Sequence, residues 1–599
     1  MPSSNSELAW HATASANILQ ARKRRGLVGS KKSRNGCVHC KARRIKCDEL
    51  PECSNCTSTG RVCAYEKAPK ATSNTLGRHL SSALGLSDQE RRTFDYFLSW
   101  TAPRLGGVFD KAFWCGSVLQ YAQAEPIVLH ALLAVSTLYE HPQYMKTFLG
   151  QPNYTVLRGE DRPPVDEYHA SALRHYNKAI KGVTSAVSDG SASPALLLLT
   201  CILFMCIEVI RDDIFAAMAL LQKGDALLSQ FSTCPKGMPS DLFLTVKTIF
   251  GRLSVLSAQC AVPIGLEKYA LMAEIPNRFG DLEEARTCLF SMMADGHAFL
   301  LKAGDYCSQL HKEGYLAASH QPYYTRFKTE DPEMDEQSIN SLSTEPLMTV
   351  HAPEDTAFPL RMRDIELIGA LPGDWMPSAL QELQALCKDR FEQWHAAFSY
   401  SHNHGKEGEG EACLLMYYHI SKMFLKARLS QYQTIFDQYT ETFEEVVRLA
   451  GIYVDFKSHE RPSFTFELGA VPALFVVALK CRIPSLRRKA IDLMHRSPGK
   501  ECTFGAGSSG ELAARIVAIE EEDLGLTPPP VSPASTPSSR HSSAHQSPIN
   551  DSILPSEDRR VHNFELLANR SAQCFEVRVT RYSTGADGNR IKTISDYAL

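Results

Sequence analysis

The chain has 599 residues, of which 44% are hydrophobic and 22% charged, and its formal net charge is −3. This composition is typical of a globular protein with a large core and room for smaller modules. No apolar run reaches the ~20 residues that a membrane-spanning helix needs. The N-terminus has no secretory signal pattern. The sequence therefore predicts neither a membrane protein nor a secreted one.

The charge is distributed unevenly along the chain. Eleven basic residues and no acidic residue lie between Arg22 and Lys46. The rest of the chain carries 53 basic against 67 acidic residues. This asymmetry indicates a basic module that binds a polyanion, followed by an acidic body.

Six of the 18 cysteines are crowded into residues 37–63. They are Cys37, Cys40, Cys47, Cys53, Cys56 and Cys63, and their spacing writes the half-motif C-x2-C-x6-C twice. A disulfide framework would need an oxidising compartment, which the missing signal disfavours. Thiolates bind zinc, and a C-x2-C pair sets two sulfurs on one turn facing one ion. Six thiolates fill two tetrahedral sites if two of them bridge, although this arithmetic does not identify the bridging sulfurs.

The segment SRNGCVHCKARRIKCDELPECSNCTSTGRVCAY resembles the fungal zinc binuclear-cluster (Zn2Cys6) transcription factors and matches their motif at every cysteine. The resemblance implies two Zn²⁺ ions. It makes Cys37 and Cys53 the bridging ligands, with Cys40 and Cys47 completing one site and Cys56 and Cys63 the other. So short a segment has few apolar groups to bury, so we expect zinc to supply its folding free energy and a chelator to unfold it.

The same resemblance implies that KARRIK forms a short helix whose N-terminal end enters the major groove of DNA. Arg43 and Arg44 would then approach base edges, since a guanidinium can donate two hydrogen bonds to guanine. Lys41 and Lys46 would contact phosphates. The implied partner is double-stranded DNA with G/C-rich sites of the CGG type.

A basic arm precedes the cluster. Its members are Arg22, Lys23, Arg24, Arg25, Lys31, Lys32 and Arg34. They predict a nuclear localisation signal, a phosphate-binding arm, or both, and hence a nuclear protein. After the cluster, Leu76, Leu80 and Leu84 recur every four residues, but no heptads continue. Monomeric DNA binding and a homodimer formed through the large domain therefore both stay open.

The rest of the chain has mainly helical patterns. Ser87 to Glu90 form a capping-box signature, and Pro103 is expected to end the helix that follows. Two long helices are expected to meet near Arg211, and a helix pair to break at Pro484. YHASALRHYNKAI and VPALFVVALKCRIPSLRRKAIDLM resemble segments of the fungal-specific transcription factor domain. That resemblance implies an all-helical regulatory domain that responds to a small-molecule effector or to co-regulator proteins.

The predicted organisation combines a zinc-stabilised cluster domain of two short helices and loops with a large all-α domain. In order, it has a disordered basic arm (1–30), the Zn2Cys6 DNA-binding domain (31–68), a linker (69–86), the helical regulatory domain (87–523) with an acidic loop (330–358), a Pro/Ser-rich disordered segment (524–560) and a C-terminal extension with a β-hairpin (561–599).

No motif in the sequence indicates an enzyme. GAGSSG at 505–510 formally matches a dinucleotide-binding pattern, but we expect no strand in the preceding HRSPGKECTF and no βαβ unit around it. The sequence therefore predicts a zinc-dependent, sequence-specific DNA-binding regulator of RNA polymerase II genes, and not an enzyme. Two alternatives stay open: a regulator whose helical domain senses a metabolite, and a protein-interaction scaffold with non-productive DNA binding.

Overall fold

The computed structural model describes residues 37–43, 45–48, 50, 53–60, 63, 85–141, 166–211, 213–259, 264–269, 272–312, 376–401, 407–430, 432–457, 463–522, 524–526, 550–569, 574–585 and 590–599. The basic arm, the leucines of 76–84 and the acidic loop of 330–358 lie outside these residues. The chain divides into two compact units, Met1–His79 and Leu80–Leu599.

The first unit contains two short helices, α1 (Val38–Ala42) and α2 (Ser54–Thr57). Each begins directly after a cysteine that occupies its N-cap position, Cys37 for α1 and Cys53 for α2. The buried cluster of this unit, within its described part, consists of cysteines alone. Apolar packing therefore contributes little to its stability, as the sequence suggests.

The second unit opens with α3 (Asp88–Tyr96), which the predicted capping box starts. The Ser87 side chain accepts from the Glu90 backbone, and the Glu90 carboxylate accepts from the Ser87 N–H at 2.9 Å. The expectation that Pro103 ends this helix was wrong. The chain stays helical through a π-helical turn, Phe97–Thr101, and α4, Ala102–Leu105. Pro103 lies inside this helical run and lacks the N–H that would bond to the preceding turn; the π-helical turn just before it replaces the regular hydrogen-bond pattern there.

Most of the described part of the second unit is helical and packs around one apolar core. In chain order the further helices are a π-helical turn at Phe113–Ser117, α5 (Val118–Ala124), α6 (Pro126–Glu140), α7 (Glu167–Ser188), α8 (Pro194–Ile210), α9 (Ile214–Ser229), α10 (Ser240–Gln259), a 3-10 turn at Leu266–Lys268, α11 (Leu282–Lys312), α12 (Ser378–Ser401), α13 (Glu409–Ala427), a 3-10 helix at Gln433–Tyr439, α14 (Thr440–Lys457), α15 (Val471–Lys480), α16 (Pro484–Arg496) and α17 (Ala506–Glu521).

Two of the predicted helix junctions are confirmed. Helices α8 and α9 meet at Arg211, and α15 and α16 meet just before Pro484. Helix α8 is apolar on all sides and almost entirely buried, which places it in the centre of the core. Among the described residues, no helix combines the length and the apolar character needed to cross a bilayer.

A small sheet lies beside α17. Its strands are β1 (Ser463–Thr465), β2 (Gly499–Glu501) and β3 (Phe504–Gly505); β1 pairs with β2 in parallel and β2 with β3 antiparallel. The expectation that no strand precedes GAGSSG was therefore wrong, because β2 and β3 are too short to show a periodic pattern. Helix α17 follows β3, but among the described residues no later strand joins this sheet. The arrangement differs from a dinucleotide-binding βαβ unit.

The C-terminal residues form a three-stranded antiparallel sheet of β4 (Asn563–Asn569), β5 (Cys574–Thr584) and β6 (Arg590–Ala598). The predicted hairpin corresponds to β5 and β6; its turn, 586–589, lies outside the described residues. Strand β4 was not predicted from the sequence. Alternate side chains such as Phe564, Leu566 and Val577 join the core of the second unit, so this segment belongs to that core.

Residues 550–560 differ from the disordered segment that composition suggested. Asp551 accepts from the Ser485 N–H at 2.8 Å at the start of α16. The Glu557 carboxylate accepts from the Gln433 and Thr434 N–H groups. Arg560 forms a bidentate pair with Asp437 at 2.7 and 2.8 Å. These polar contacts dock the segment on the helices, and the Pro/Ser composition that predicted disorder lies before Ile549.

Candidate zinc cluster and nucleic-acid interface

The two halves of the cysteine motif fold alike. The Cys37 N–H donates to the Cys47 sulfur and the Cys53 N–H to the Cys63 sulfur, both at 3.4 Å. In each half the first cysteine caps a helix and the second lies within that helix. The third cysteine follows ten residues after the first, and its sulfur accepts from the first cysteine's N–H. The repeat in the sequence is therefore also a repeat in space, which the half-motif C-x2-C-x6-C predicts.

The six sulfurs form two overlapping groups of four. One group is Cys37, Cys40, Cys47 and Cys53; the other is Cys37, Cys53, Cys56 and Cys63. Within each group the sulfurs lie within 4.8 Å of one another. Cys37 and Cys53 belong to both groups, and their sulfurs are 3.7 Å apart.

The distances between sulfurs fit zinc. Four thiolates at Zn–S bonds of about 2.3 Å around a tetrahedral ion stand about 3.8 Å apart. The measured distances are 3.5 Å from Cys40 to Cys53 and 3.6 Å from Cys37 to Cys56. Disulfide sulfurs are only about 2.05 Å apart, and all six cysteines are free thiols. The cluster can therefore hold metal ions without a change of fold.

The pKa values of the cluster thiols are shifted because the sulfurs are buried close to one another. Burial raises the pKa of the Cys40 thiol to about 12 and raises that of Cys56 as well. Burial acts in the same direction on Cys37, but hydrogen bonds from Cys40 outweigh it and lower its pKa to about 6. A bound cation would therefore displace the protons of thiols such as Cys40 and Cys56 and stabilise them as thiolates.

The basic segment between the second and third cysteines lies on the surface. Lys41, Arg43 and Lys46 are exposed. Lys41 lies in α1, and Arg43 caps the C-terminal end of that helix, with its N–H bonded to the carbonyls of His39 and Lys41. The expectation that KARRIK forms the helix was therefore wrong, because the helix is Val38–Ala42 and residues 45 and 46 are not helical. Arg44 lies outside the described residues. These exposed cations lie between two buried cysteines in the sequence, and their positive charge would attract a polyanion.

Sequence reasoning missed the residues that support this segment. Asp48 accepts from the Ser54 N–H at 2.9 Å and also from the Ser54 hydroxyl. These hydrogen bonds lower the pKa of Asp48. The Asn55 amide donates to the Lys46 carbonyl at 2.9 Å, so α2 holds the end of the basic segment. The available signal was position, because Asp48 and Ser54 each directly follow a cysteine.

The second unit also contains a buried charge cluster, formed by Asp110, Arg252, Arg286 and Glu467. Arg252 and Arg286 pair with opposite oxygens of Asp110 at 2.6 and 2.7 Å. Glu467 accepts from the backbone N–H groups of residues 108 and 109, and burial raises its pKa to about 7. These buried groups pair with one another and with the backbone across four segments of the chain, which indicates a structural role.

Two family models match the chain. Residues 35–72 match the fungal Zn(2)-Cys(6) binuclear cluster domain. Residues 92–232 match the fungal specific transcription factor domain. The second match spans α3 through α9 of the large unit and so covers only the first part of the helical region. No solved structure gives a significant match.

The most similar curated relatives carry names of the same kind. The aspercryptin biosynthesis cluster-specific transcription regulator atnN of Emericella nidulans is 24% identical over 574 residues, which cover 83% of this chain and 88% of that protein. The Zn(2)-C6 fungal-type transcription factor afumD of Aspergillus fumigatus is 27% identical over 218 residues, 33% of this chain and 54% of that protein. The lysine biosynthesis regulatory protein LYS14 of Saccharomyces cerevisiae is 49% identical over 49 residues, 8% of this chain and 6% of that protein.

Parts of the chain thus match both domain models of the fungal zinc-cluster transcription factors, as the resemblance of the cysteine segment implied. The domains and the names of the relatives point to DNA-binding regulation of transcription and not to an enzyme. A cluster domain of this family binds zinc, and the sulfur geometry described above is able to hold it.

Proposed function

We propose that this protein is a nuclear regulator of RNA polymerase II genes that reads CGG-type sites through the basic segment of its zinc cluster. The observation that carries the proposal is the pairing of two four-sulfur groups with exposed Lys41, Arg43 and Lys46 between the second and third ligands. A rigid metal cluster fixes the direction in which these cations project. The basic arm of 22–34 is proposed to direct the chain to the nucleus.

The number and arrangement of the metal ions are part of this proposal. Two Zn²⁺ ions would each take four sulfurs, with Cys37 and Cys53 shared between them. The overlap of the two sulfur groups at these two cysteines supports that assignment. The two remaining cysteines of each half would complete the coordination of one ion. These are Cys40 and Cys47 for one ion and Cys56 and Cys63 for the other.

In vitro selection of DNA sites with the purified full chain tests the reading of DNA. With zinc present we expect enrichment of a CGG-type triplet, and with a chelator we expect none. One triplet would indicate a monomer, and a repeated triplet at fixed spacing a homodimer. A zinc-loaded chain that enriches no sequence would contradict the proposal and favour a protein-interaction scaffold.

Replacement of Arg44 tests which side chain selects the sequence. Arg44→Ala should weaken binding to the selected site by about 1–3 kcal/mol and leave random DNA almost unaffected, because a base contact is lost. Lys46→Ala should weaken both kinds of DNA about equally, because phosphates are the same in every sequence. The dissociation constants must be compared at one salt concentration. Equal losses on both DNAs for Arg44→Ala would assign this arginine to phosphate.

The regulated genes are proposed to form one biosynthetic gene cluster. The relative that aligns across most of both chains is named as the regulator of such a cluster. Deletion of the gene for this protein should change the transcripts of a contiguous set of genes together, as transcript profiling can measure. A response scattered over unlinked genes would argue instead for a regulator of general nutrient use.

A further inference from the structure

Three potential metal ligands meet on the second unit, away from any cysteine. They are Glu90 in the first turn of α3, His130 on α6 and His175 on α7. One ligand atom from each side chain lies within 4.8 Å of the other two, and all three residues are half-buried. Three separate helices therefore direct a carboxylate and two imidazoles to one point at the protein surface.

The two carboxylate oxygens of Glu90 have different neighbours. Its Oε2 accepts from the Ser87 N–H at 2.9 Å and from the Ser87 hydroxyl at 2.7 Å. Its Oε1 faces Nε2 of His175 at 3.9 Å. This distance is too long for a hydrogen bond, but two metal–ligand bonds of about 2.0–2.2 Å can span it. The capping box thus holds the carboxylate in place while one oxygen stays directed at the histidine.

The two imidazoles also face each other. Nδ1 of His130 and Nδ1 of His175 are 3.1 Å apart, with the ring planes inclined by 38°. In a tetrahedral zinc site with Zn–N bonds of about 2.0–2.1 Å, two nitrogens stand about 3.4 Å apart. His175 can offer only one nitrogen to an ion, and its Nε2 faces Glu90 whereas its Nδ1 faces His130. Rotation of the rings must therefore turn one nitrogen of His175 toward both partners; one ligand atom of each residue already lies within 4.8 Å of the other two.

We propose that Glu90, His130 and His175 bind one divalent transition-metal ion, at a site separate from the cysteine cluster. Two imidazoles and one carboxylate form a donor set that suits Zn²⁺ and its neighbours in the first transition row. Three protein ligands leave a position for water, which the partial exposure of the site permits. The ion would join α3 to α6 and α7 and so fix the first helix of the large unit to its core.

The charged groups around His175 have opposite effects on its pKa. Lys178 and Arg174 oppose a further positive charge near His175, whereas Glu90 favours it. Burial first, and then His130, lowers the pKa of His175 to about 4, so both rings are neutral at neutral pH. Neutral imidazole is the form that coordinates metals.

The test measures zinc bound to the purified full chain and to matched variants by elemental mass spectrometry after removal of free metal. Wild-type protein should hold one more zinc per chain than Glu90→Gln and His175→Gln. Glutamine is accepted at the third position of a capping box, so Glu90→Gln removes the ligand and keeps the helix start. His395→Gln is the control, since this half-buried histidine stacks on Tyr418 outside the trio; it should bind as much zinc as wild type.

A second readout separates a metal site from a structural cluster. Added Zn²⁺ should raise the thermal midpoint of the wild type and of His395→Gln, because a ligand that binds only the folded state stabilises it. The fluorescence of buried Trp114 and Trp394 reports this transition in the large unit. Glu90→Gln and His175→Gln should keep the midpoint that wild type has in chelator and lose the response to zinc. Cys56→Ser should lose cluster zinc but keep the response. Equal zinc content and equal responses in wild type, Glu90→Gln, His175→Gln and His395→Gln would overturn the proposal.

Discussion

Replacing Cys53 with serine should remove the metal from both halves of the cluster and abolish site-specific DNA binding. The Cys53 sulfur belongs to both four-sulfur groups and lies 3.5 Å from Cys40 and 3.7 Å from Cys37. Structural zinc contributes about 10–16 kcal/mol to the folding of small metal domains, and the described part of this unit has no other buried cluster. Loss of the shared ligand should therefore unfold the unit that carries the basic segment.

Two matched variants sharpen this experiment. Cys63→Ser changes a sulfur that belongs to one group alone, so it should lower the zinc content by about half of the Cys53→Ser loss. Cys115→Ser changes an exposed cysteine of the large unit and should alter neither zinc content nor DNA affinity. Elemental analysis and DNA titration at fixed salt measure both quantities. Full zinc content and unchanged affinity in Cys53→Ser would contradict the bridging assignment.

Replacing Glu520 with alanine should destabilise the large unit by about 3–5 kcal/mol. This carboxylate is fully buried and pairs with two buried guanidinium groups, those of Arg482 and Arg487. It also accepts from the Val561 N–H at 2.6 Å, which fixes the chain before β4. Removing it leaves two positive charges in the core without this partner. Such a loss costs far more than the loss of a surface ion pair.

The denaturant midpoint of the large unit, followed by tryptophan fluorescence, measures the effect. Glu522→Ala is the control, because this glutamate lies two residues further on and is exposed; its midpoint should stay close to wild type. A Glu520→Ala midpoint equal to that of the control would show that the buried pairs contribute nothing to stability.

The same carboxylate makes stability depend on pH. Burial raises the pKa of Glu520, but Arg482 and Arg487 outweigh it and lower the pKa from 4.5 to about 2. Its contribution is thus present above pH 4.5 and is lost as the pH falls toward 2. For Glu467 and Glu501, burial raises the pKa to about 7. These two glutamates act in the opposite sense and reduce stability as the pH rises from 4.5 to 7.

The cysteine cluster could be predicted because metal ligands are recognised by residue type and spacing, and the sequence contains both. The helices were predictable for a similar reason, since a capping box and an apolar period are local. The π-helical turn before Pro103 was not, because its stability comes from the packing of buried Phe97 against the core. The trio of Glu90, His130 and His175 joins helices that are far apart in sequence, and no spacing rule links them.

The docking of residues 550–560 has a consequence for the integrity of the polypeptide. Helix α17 ends at Glu521, and the chain is anchored again at Asp551, Glu557 and Arg560. Both sides of 527–549 are thus bound to the same helical body, by α17 on one side and by these hydrogen bonds, the Arg560–Asp437 ion pair and the core side chains of β4 and β5 on the other. A protease that cuts within 527–549 would produce two fragments that remain associated as one particle.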